Sequence, residues 1–157
     1  MNSNLLETPR LKIHIASDEE IRSLIAAQRD DALKAAYTEM FKGSAEHPDA
    51  RKWYAPWIIE LKDGTHVGEL CFMGPPSGGA VEIGYGISEE YRNRGYASEA
   101  VKALSAWALD RPGVAAVEAE TEPGNRASQR VLAKAGFIPT GTAGKEGPRY
   151  RLSPERK

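Results

Sequence analysis

The chain cannot form an internal disulfide, because Cys71 is its only cysteine. A lone thiol suits a reducing compartment. The first residues lack a basic segment followed by a long apolar run, which argues against a secretory signal peptide. No run approaches the ~20 apolar residues that a membrane-spanning helix needs. We therefore expect a cytoplasmic protein with no membrane segment.

An excess of charge is also missing, since 21 basic residues face 22 acidic ones and the formal net charge is −1. This balance argues against non-specific binding to nucleic acid. No His, Cys and carboxylate residues share the spacing of a zinc site, and His14, His47 and His66 are scattered. The sequence has no Gly-Lys-Ser/Thr phosphate loop. We expect no metal and no direct nucleic-acid partner.

The length and composition indicate one globular domain over residues 1–157. Hydrophobic residues make up 41% and charged residues 27% of the chain, which is ordinary for a globular protein. Periodicity and turn signals predict a mixed order of elements. Strands are expected over 10–16, 53–61, 65–73, 80–88, 114–121, 137–140 and 149–152. Helices are expected after a capping box at Ser17–Glu20, over 30–41 with a stop at Gly43 and a loop over 44–49, and over 97–109 and 125–135.

A basic, glycine-bearing loop separates the strand-like run 80–88 from the helix-like run that begins at Ala97. Backbone N–H groups at a helix start point outward, and the helix dipole adds partial positive charge there. Gly95 can adopt a positive φ and lets an anion approach the backbone, while Arg92 and Arg94 add full charge. Taken alone, the loop is as typical of a plain turn as of a phosphate site.

Two further segments favour the phosphate site over the plain turn. Asn125-Arg-Ala-Ser128 opens a helix-like run that ends at Gly136-Phe137, and Thr8-Pro9-Arg10-Leu11 opens the first strand. Together with Arg92-Asn93-Arg94-Gly95-Tyr96-Ala97, they resemble the GNAT family of acetyl-CoA-dependent N-acetyltransferases. The opening is similar to that of the RimJ/RimL-like branch, which acetylates ribosomal-protein N-termini. The resemblance spans roughly residues 8–152.

This resemblance implies an α+β chain with the GNAT fold, in which helices cover both faces of a mixed, mostly antiparallel sheet. It implies acetyl-CoA as co-substrate, with the pyrophosphate on the loop and pantetheine along strand 80–88. Gly84 and Gly86 leave one face of that strand bare, although such glycines are as typical of a β-bulge. The residues that the resemblance assigns to the cofactor are Ile87, Ser88, Arg92, Asn93, Arg94, Gly95, Tyr96, Ala97, Asn125 and Ser128.

The implied reaction acetylates an amine, which must first lose a proton. The pKa of an aliphatic amine is about 10.4 and that of an α-amino group about 8. A carboxylate can attract the ammonium and take its proton, directly or through water. Glu82 is the first candidate for this base, Glu120 the second and Glu69 the third. Each of them is about as often a plain surface residue on a strand.

The leaving thiolate and the acceptor are less well defined by the sequence. Many family members place a Tyr in the last helix to protonate the sulfur, but this chain has Val131-Leu132 there. Ser128 can donate to the sulfur instead, and a coenzyme A thiol is acidic enough to leave without a dedicated acid. Trp53, Tyr54 and Trp57 can wall an acceptor pocket, although core packing is the commoner role for such residues. The implied partner is a protein N-terminus or a small-molecule amine, and the chain is expected to be a monomer or homodimer.

Two other functions stay open at this point. One is a non-catalytic acyl-CoA-binding or regulatory module of the same fold. The other is a nucleotide-binding interaction domain that uses Arg92–Ala97 for a different phosphate.

Overall fold

Eight strands form one open sheet in the computed structural model of the protein, which describes residues 5–154. The sheet order is β1-β2-β3-β4-β5-β6-β8-β7. In this part of the chain β5 and β6 pair in parallel, and all other neighbours pair antiparallel. The predicted α+β class and mixed sheet are thus confirmed. The strands are β1 (Leu5–Glu7), β2 (Leu11–Ile15), β3 (Trp57–Leu61), β4 (His66–Phe72), β5 (Ala80–Ile87), β6 (Ala116–Glu120), β7 (Ile138–Ala143) and β8 (Pro148–Leu152).

Five α-helices accompany the sheet, and their N-termini differ in how they are capped. Ser17 caps the first helix in the predicted capping box, and the side chains of Asp30 and Asn125 cap the second and fifth. The fourth helix begins after Gly95 without a side-chain cap. No helix among residues 5–154 is both long and apolar enough to cross a membrane. The helices are α1 (Asp18–Ala27), α2 (Asp31–Glu46), α3 (Arg51–Tyr54), α4 (Tyr96–Leu109) and α5 (Arg126–Lys134).

The segment before β3 differs from the prediction. Helix α2 continues through Gly43 to Glu46, so the expected stop at Gly43 and most of the expected loop over 44–49 are wrong. Gly43 serves close packing, because a Cβ there would lie 2.8 Å from Tyr54 Cδ1. The expected strand over 53–61 is also wrong at its start, since residues 53 and 54 belong to α3. The strand begins only after Pro56.

Adjacent residues of β3 show that helices cover both faces of the sheet. Ile59 is fully buried in a core that includes Val101 and Leu104 of α4 and Leu132 of α5. Ile58 points the opposite way and packs with residues of α1 and α2. Since successive side chains of a strand alternate between faces, α4 and α5 lie on one side and α1 and α2 on the other.

The centre of the sheet opens where β5 and β6 part. Their parallel pairing runs from Ala80 with Ala116 only as far as Glu82 with Glu118. On its other side, β5 stays paired with β4 up to Ile87. The second half of β5 therefore has a free backbone edge facing the gap.

Candidate active site

Two clefts border the free half of β5. The first, which we name the loop cleft, has a volume of about 580 Å³ and lies between the Arg92–Ala97 loop and α5. The second, the carboxylate cleft, has a volume of about 600 Å³ and lies between α2, β4, β5 and β6. The two clefts meet at residues that line both: Tyr85, Gly86, Ile87, Arg92, Asn125 and Ser128. A ligand in one cleft can thus reach a ligand in the other at the free edge of β5.

The loop cleft is built around the uncapped start of α4. Gly95 has φ +83°, and Asn93 adopts a left-handed φ of 64°. These conformations turn the chain so that the first amides of α4 face the cleft without a side-chain acceptor. Arg92 Nε donates to Ile87 O at 3.0 Å, which ties the loop to the end of β5. This is the geometry expected for a backbone site that binds an anion.

Arg94 departs from the prediction that its charge faces a phosphate. Its guanidinium donates to Glu90 O at 3.3 Å and lies 5.8 Å from the centre of the Tyr91 ring. Its side chain is absent from the residues that line the loop cleft. On the opposite wall, α5 supplies Arg130 and Lys134, which the sequence motifs did not indicate. Their i, i+4 spacing places them on one helix face.

The free edge of β5 presents main-chain groups to the gap. Ser88 N donates to Val67 O, and Glu82 O accepts from Met73 N, so both residues point their backbone groups toward β4. Backbone groups alternate along a strand, and those of Tyr85 and Ile87 therefore point away from β4 into the gap. Ser88 was expected to contact the cofactor through its backbone. Its N–H is bonded to Val67, and its carbonyl accepts from Tyr91 N at 2.9 Å.

Only one of the two glycines of β5 leaves an open face. A Cβ at Gly84 would lie 2.9 Å from Met73 Cε and 3.3 Å from Cys71 Sγ, so those side chains cover it. A Cβ at Gly86 would meet no atom within 4 Å. Pairing of β4 with β5 is continuous from Gly68 to Phe72, which excludes the alternative of a bulge at these glycines.

The start of α5 contributes a hydroxyl pair to the junction of the clefts. Asn125 Oδ1 accepts from Ser128 N at 3.1 Å, which confirms Asn125 as the N-cap. Ser128 Oγ is hydrogen-bonded to the hydroxyl of Tyr85, which also donates to Ser128 O at 3.1 Å. Burial raises the pKa of Tyr85, so it remains a neutral phenol. Helix α5 itself contains no tyrosine, whereas the fold brings one from β5.

Glu69 lies in the carboxylate cleft between two hydrogen-bond donors. Tyr37 OH donates to Glu69 Oε1 at 2.9 Å, and His66 Nε2 contacts Glu69 Oε2. The hydrogen bond to Glu69 raises the pKa of His66 despite partial burial. Burial and the charge of Glu69 raise the pKa of Tyr37. Glu69 pairs directly with Gly86 across the strands, so it lies beside the junction of the clefts.

Glu82 and Glu120, the first two candidates for the base, converge on one arginine. Arg149 donates to Glu82 Oε1 at 3.0 Å, to Glu118 Oε1 at 3.0 Å and to Glu120 Oε1 at 2.7 Å. Glu120 also accepts from Glu146 N at 2.7 Å. That amide and Arg149 keep the pKa of Glu120 below its ordinary value. Glu82 lies four residues before Gly86, about 13 Å along β5.

The remaining candidates fall outside the site or are inert. Trp53 and Trp57 are buried in the core against Phe72 and Trp107, which confirms the packing alternative rather than a pocket wall. Burial raises the pKa of Cys71 to about 11, so its thiol is protonated at neutral pH. Among residues 5–154 no group of three or more His, Cys, Asp or Glu is placed to hold a metal ion.

A loop with the geometry of a backbone anion site and a cleft lined by carboxylates therefore meet at one free strand edge. The chain belongs to the GNAT acetyltransferase family, because the model of the acetyltransferase (GNAT) domain matches residues 5–138. One relative is the uncharacterized N-acetyltransferase YjdG of Bacillus subtilis (strain 168), which is 40% identical over 89 residues. That match covers 55% of this chain and 53% of YjdG, so it spans about half the length of each.

Solved structures of the same fold include RimL, an α-N-protein acetyltransferase for a ribosomal protein, in complex with coenzyme A. It has a TM-score of 0.74 and 17% identity, and the match covers 95% of this chain and 97% of that one. AAC(6′)-Ib in complex with paromomycin and acetyl-CoA has a TM-score of 0.70 and 18% identity, over 91% and 93% of the two chains. At these identities the likeness shows the fold alone.

Proposed function

We propose that the protein transfers an acetyl group from acetyl-CoA to an amine by direct attack of the amine on the thioester. The observation that carries this proposal is the junction of the two clefts at Tyr85–Ile87. It joins a site suited to an anionic donor to a site lined by carboxylates. Two substrates bound there would meet beside the free edge of β5, and direct transfer requires that close approach.

The loop cleft suits coenzyme A on structural grounds. The uncapped amides after Gly95, with no Cβ at that position, can approach a pyrophosphate closely. Arg92, Asn125 and Ser128 border the path toward the junction, and Arg130 and Lys134 add positive charge along α5. Among the assigned loop residues, Asn93, Tyr96 and Ala97 would contribute through their backbone, whereas Arg94 does not line the cleft. Bound acetyl-CoA supplies an electrophilic thioester carbonyl and a thiolate leaving group.

The main chain of β5 can stabilise the negative charge that develops on the thioester oxygen. The N–H groups of Tyr85 and Ile87 point into the gap between β5 and β6. A preorganised amide donor of this kind costs no reorganisation during the reaction. We propose that one of these two amides is the oxyanion donor.

Glu69 is the best placed of the three carboxylates to deprotonate the amine. It lies opposite Gly86, at the junction, whereas Glu82 lies about 13 Å along the strand. Glu120 is held by Glu146 N and Arg149, and these partners keep its pKa below the ordinary value. We therefore propose Glu69 as the general base and keep Glu82 and Glu120 as alternatives.

Ser128 and Tyr85 can assist the departure of the thiolate. When the Tyr85 hydroxyl donates to Ser128 Oγ, the Ser128 hydroxyl hydrogen is free to point at another acceptor in the loop cleft. A hydrogen bond to the leaving sulfur would stabilise its charge. Neither hydroxyl has to give up its proton completely, because a coenzyme A thiolate is a stable leaving group.

The lining of the carboxylate cleft favours an acceptor that arrives as a cation with an apolar part. Glu69, Glu82 and Glu120 line it together with Glu122 and Glu146, and Arg92 is the one basic residue among its described lining. An apolar wall stands beside them, formed by side chains that include Leu33, Met40 and Met73. A protein N-terminus and a small polyamine both have this chemistry. RimL and AAC(6′)-Ib illustrate protein and aminoglycoside acceptors in the same fold.

The test is the release of free coenzyme A from acetyl-CoA in the presence of an amine panel. The panel contains peptides with a free or blocked N-terminus, polyamines, aminoglycosides and a neutral amide as control. Acceptor-dependent thiol release, with a mass increase of one acetyl group on the acceptor, supports the proposal. If the protein binds coenzyme A but no amine accelerates thiol release, a non-catalytic acyl-CoA module is the better description. If ATP raises the melting temperature and acetyl-CoA does not, the donor assignment is wrong.

A further inference from the structure

We infer that Thr8, Arg10 and Glu99 form a strut that positions the phosphate-binding loop from outside the cleft. This inference rests on the proposed coenzyme A site. It gives a role to the Thr-Pro-Arg-Leu segment at residues 8–11, which lines neither cleft. Arg10 is a positioning residue, because its side chain is not among those that line either cleft.

The strut begins at the carboxylate of Glu99 in the first turn of α4. Glu99 Oε2 accepts from Thr8 Oγ1 and from Arg10 N at 3.0 Å. Glu99 Oε1 accepts from Arg10 Nε at 2.7 Å. These three bonds join the turn between β1 and β2 to the start of α4, about 90 residues later in the chain. Burial opposes the charge of Glu99, yet the bonds from Thr8 and Arg10 keep its pKa below the ordinary value.

The other end of the strut is the loop itself. Arg10 Nη1 donates to Arg94 O at 2.8 Å, and its guanidinium lies 4.7 Å from the centre of the Tyr96 ring. Arg10 Nη2 lies 3.1 Å from where a Cβ of Gly95 would be. One guanidinium therefore contacts three successive residues of the loop. The carbonyl bond at Arg94 fixes the peptide that leads into the left-handed Gly95.

Arg10 also offsets the unfavourable effect that the negative charge of Glu99 would have on a bound phosphate. A carboxylate in the first turn of a helix stabilises the helix, because it faces the positive end of the dipole. The same carboxylate would repel a phosphate bound at that helix start. Arg10 neutralises Glu99 at contact distance, so the α4 amides keep a favourable potential for an anion. Loss of Arg10 would remove both the hydrogen bond that fixes the loop and the charge that neutralises Glu99. Both losses should weaken phosphate binding specifically.

The experiment is calorimetric titration of the full chain with coenzyme A and, separately, with pantetheine, which lacks the phosphates. We compare wild type, Arg10→Gln, Arg10→Lys, Glu99→Gln and the double variant Arg10→Gln/Glu99→Gln. Lys62→Gln is the matched control, because it breaks another long-range ion pair to β1, Lys62 with Glu7 at 3.0 Å, and Lys62 lines neither cleft. Thermal melts without ligand show whether each variant folds.

Arg10→Gln is expected to raise the Kd of coenzyme A about 10- to 100-fold and to leave that of pantetheine unchanged. Arg10→Lys keeps the positive charge but lacks the planar guanidinium with its several N–H donors. It should lose less affinity for coenzyme A than Arg10→Gln. The double variant should recover part of the loss, because the unpaired carboxylate is gone. Lys62→Gln should bind both ligands as wild type does.

A Kd of coenzyme A within twofold of wild type in folded Arg10→Gln would overturn the strut. An equal loss for pantetheine would overturn it too, because it would indicate general damage to the fold. If wild type itself binds no coenzyme A, the proposed function fails before the strut is tested. The two failures are therefore distinguishable.

Discussion

The loop cleft and the carboxylate cleft meet on one strand, but they are built in different ways. The loop cleft draws on consecutive residues of one strand–loop–helix segment and on α5, and it relies on backbone amides. The carboxylate cleft gathers side chains from α2, β4, β5, β6 and the turn between β7 and β8. The loop cleft is built from the backbone of one short segment and can therefore be predicted from a sequence motif. A site made of converging side chains depends on how distant strands align.

The largest effect expected concerns the carboxylate cleft. Glu69→Gln should lower kcat by about 10²- to 10⁴-fold, because the amine loses its general base. The Kd of coenzyme A should stay unchanged, since Glu69 does not line the loop cleft. Steady-state kinetics with the best acceptor of the panel, together with calorimetry, measures both quantities.

Glu82→Gln and Glu120→Gln are the matched controls for that prediction. Both carboxylates line the same cleft but are paired with Arg149. A larger loss of kcat in either control than in Glu69→Gln would transfer the role of base to that residue. It would also show that the acceptor nitrogen lies nearer β6 than the junction of the clefts.

The next effect concerns the loop cleft. Gly95→Glu should raise the Kd of coenzyme A by about 100-fold or more, because a side chain strains the φ of +83° and crowds Arg10, and the new carboxylate adds negative charge beside the α4 amides. Gly113→Glu is the control, since Gly113 has the same φ of +83° and lies in the turn after α4, outside both clefts. Equal coenzyme A affinity in the two variants would remove the phosphate assignment.

A smaller effect is expected where the two clefts meet. Tyr85→Phe and Ser128→Ala should each lower kcat by about 10-fold, because each removes part of the donor chain to the leaving sulfur. Thioester donors with more acidic thiols should be less affected, since their thiolates need less stabilisation. Tyr91→Phe, in the loop cleft but outside the hydroxyl pair, should leave kcat unchanged. An equal loss for all thiol donors would contradict the role in leaving-group departure.

The smallest effect is on stability and concerns the imidazole beside Glu69. The pKa of His66 is raised in the folded state, so its pairing with Glu69 stabilises the protein fully below the unfolded value of about 6.5. This contribution is lost as the pH rises through the raised pKa. His66 is partly exposed, and the effect should not exceed about 1 kcal/mol. Urea unfolding of His66→Gln and wild type at pH 5.5 and pH 9 measures it; a difference that grows with pH would contradict the assignment.

The contact between His66 and Glu69 shows why the acceptor side was hard to predict. Residues three apart in a regular strand face opposite sides of the sheet. The pairing of β3 with β4 skips one residue, because Ile59 pairs with Gly68 and Glu60 with His66. This bulge at Val67 turns His66 to the face of Glu69. A bulge depends on the partner strand, so the spacing of these residues gave no sign of their contact.

The same reason explains the order of the candidate bases. Alternation along the strand placed Glu82 on the glycine-bearing face, and the structure agrees with that local inference. Alternation contains no information about Arg149, which lies 67 residues away in sequence and binds Glu82, Glu118 and Glu120. It also cannot show that Glu69 is directly opposite Gly86. The register between strands is set by the assembled sheet and cannot be inferred from alternation along one strand.

The sequence by itself determined the local geometry on which the proposed donor site depends. The Arg92–Ala97 loop, the Asn125 cap and the open position at Gly86 are local features, and their conformations follow from glycine, a capping side chain and the start of a helix. The tertiary structure alone decided which carboxylate stands at the junction, which tyrosine reaches Ser128, and how Arg10 supports the loop. The last two of these contacts join residues 43 to 91 positions apart, and only the folded chain brings them within hydrogen-bonding distance.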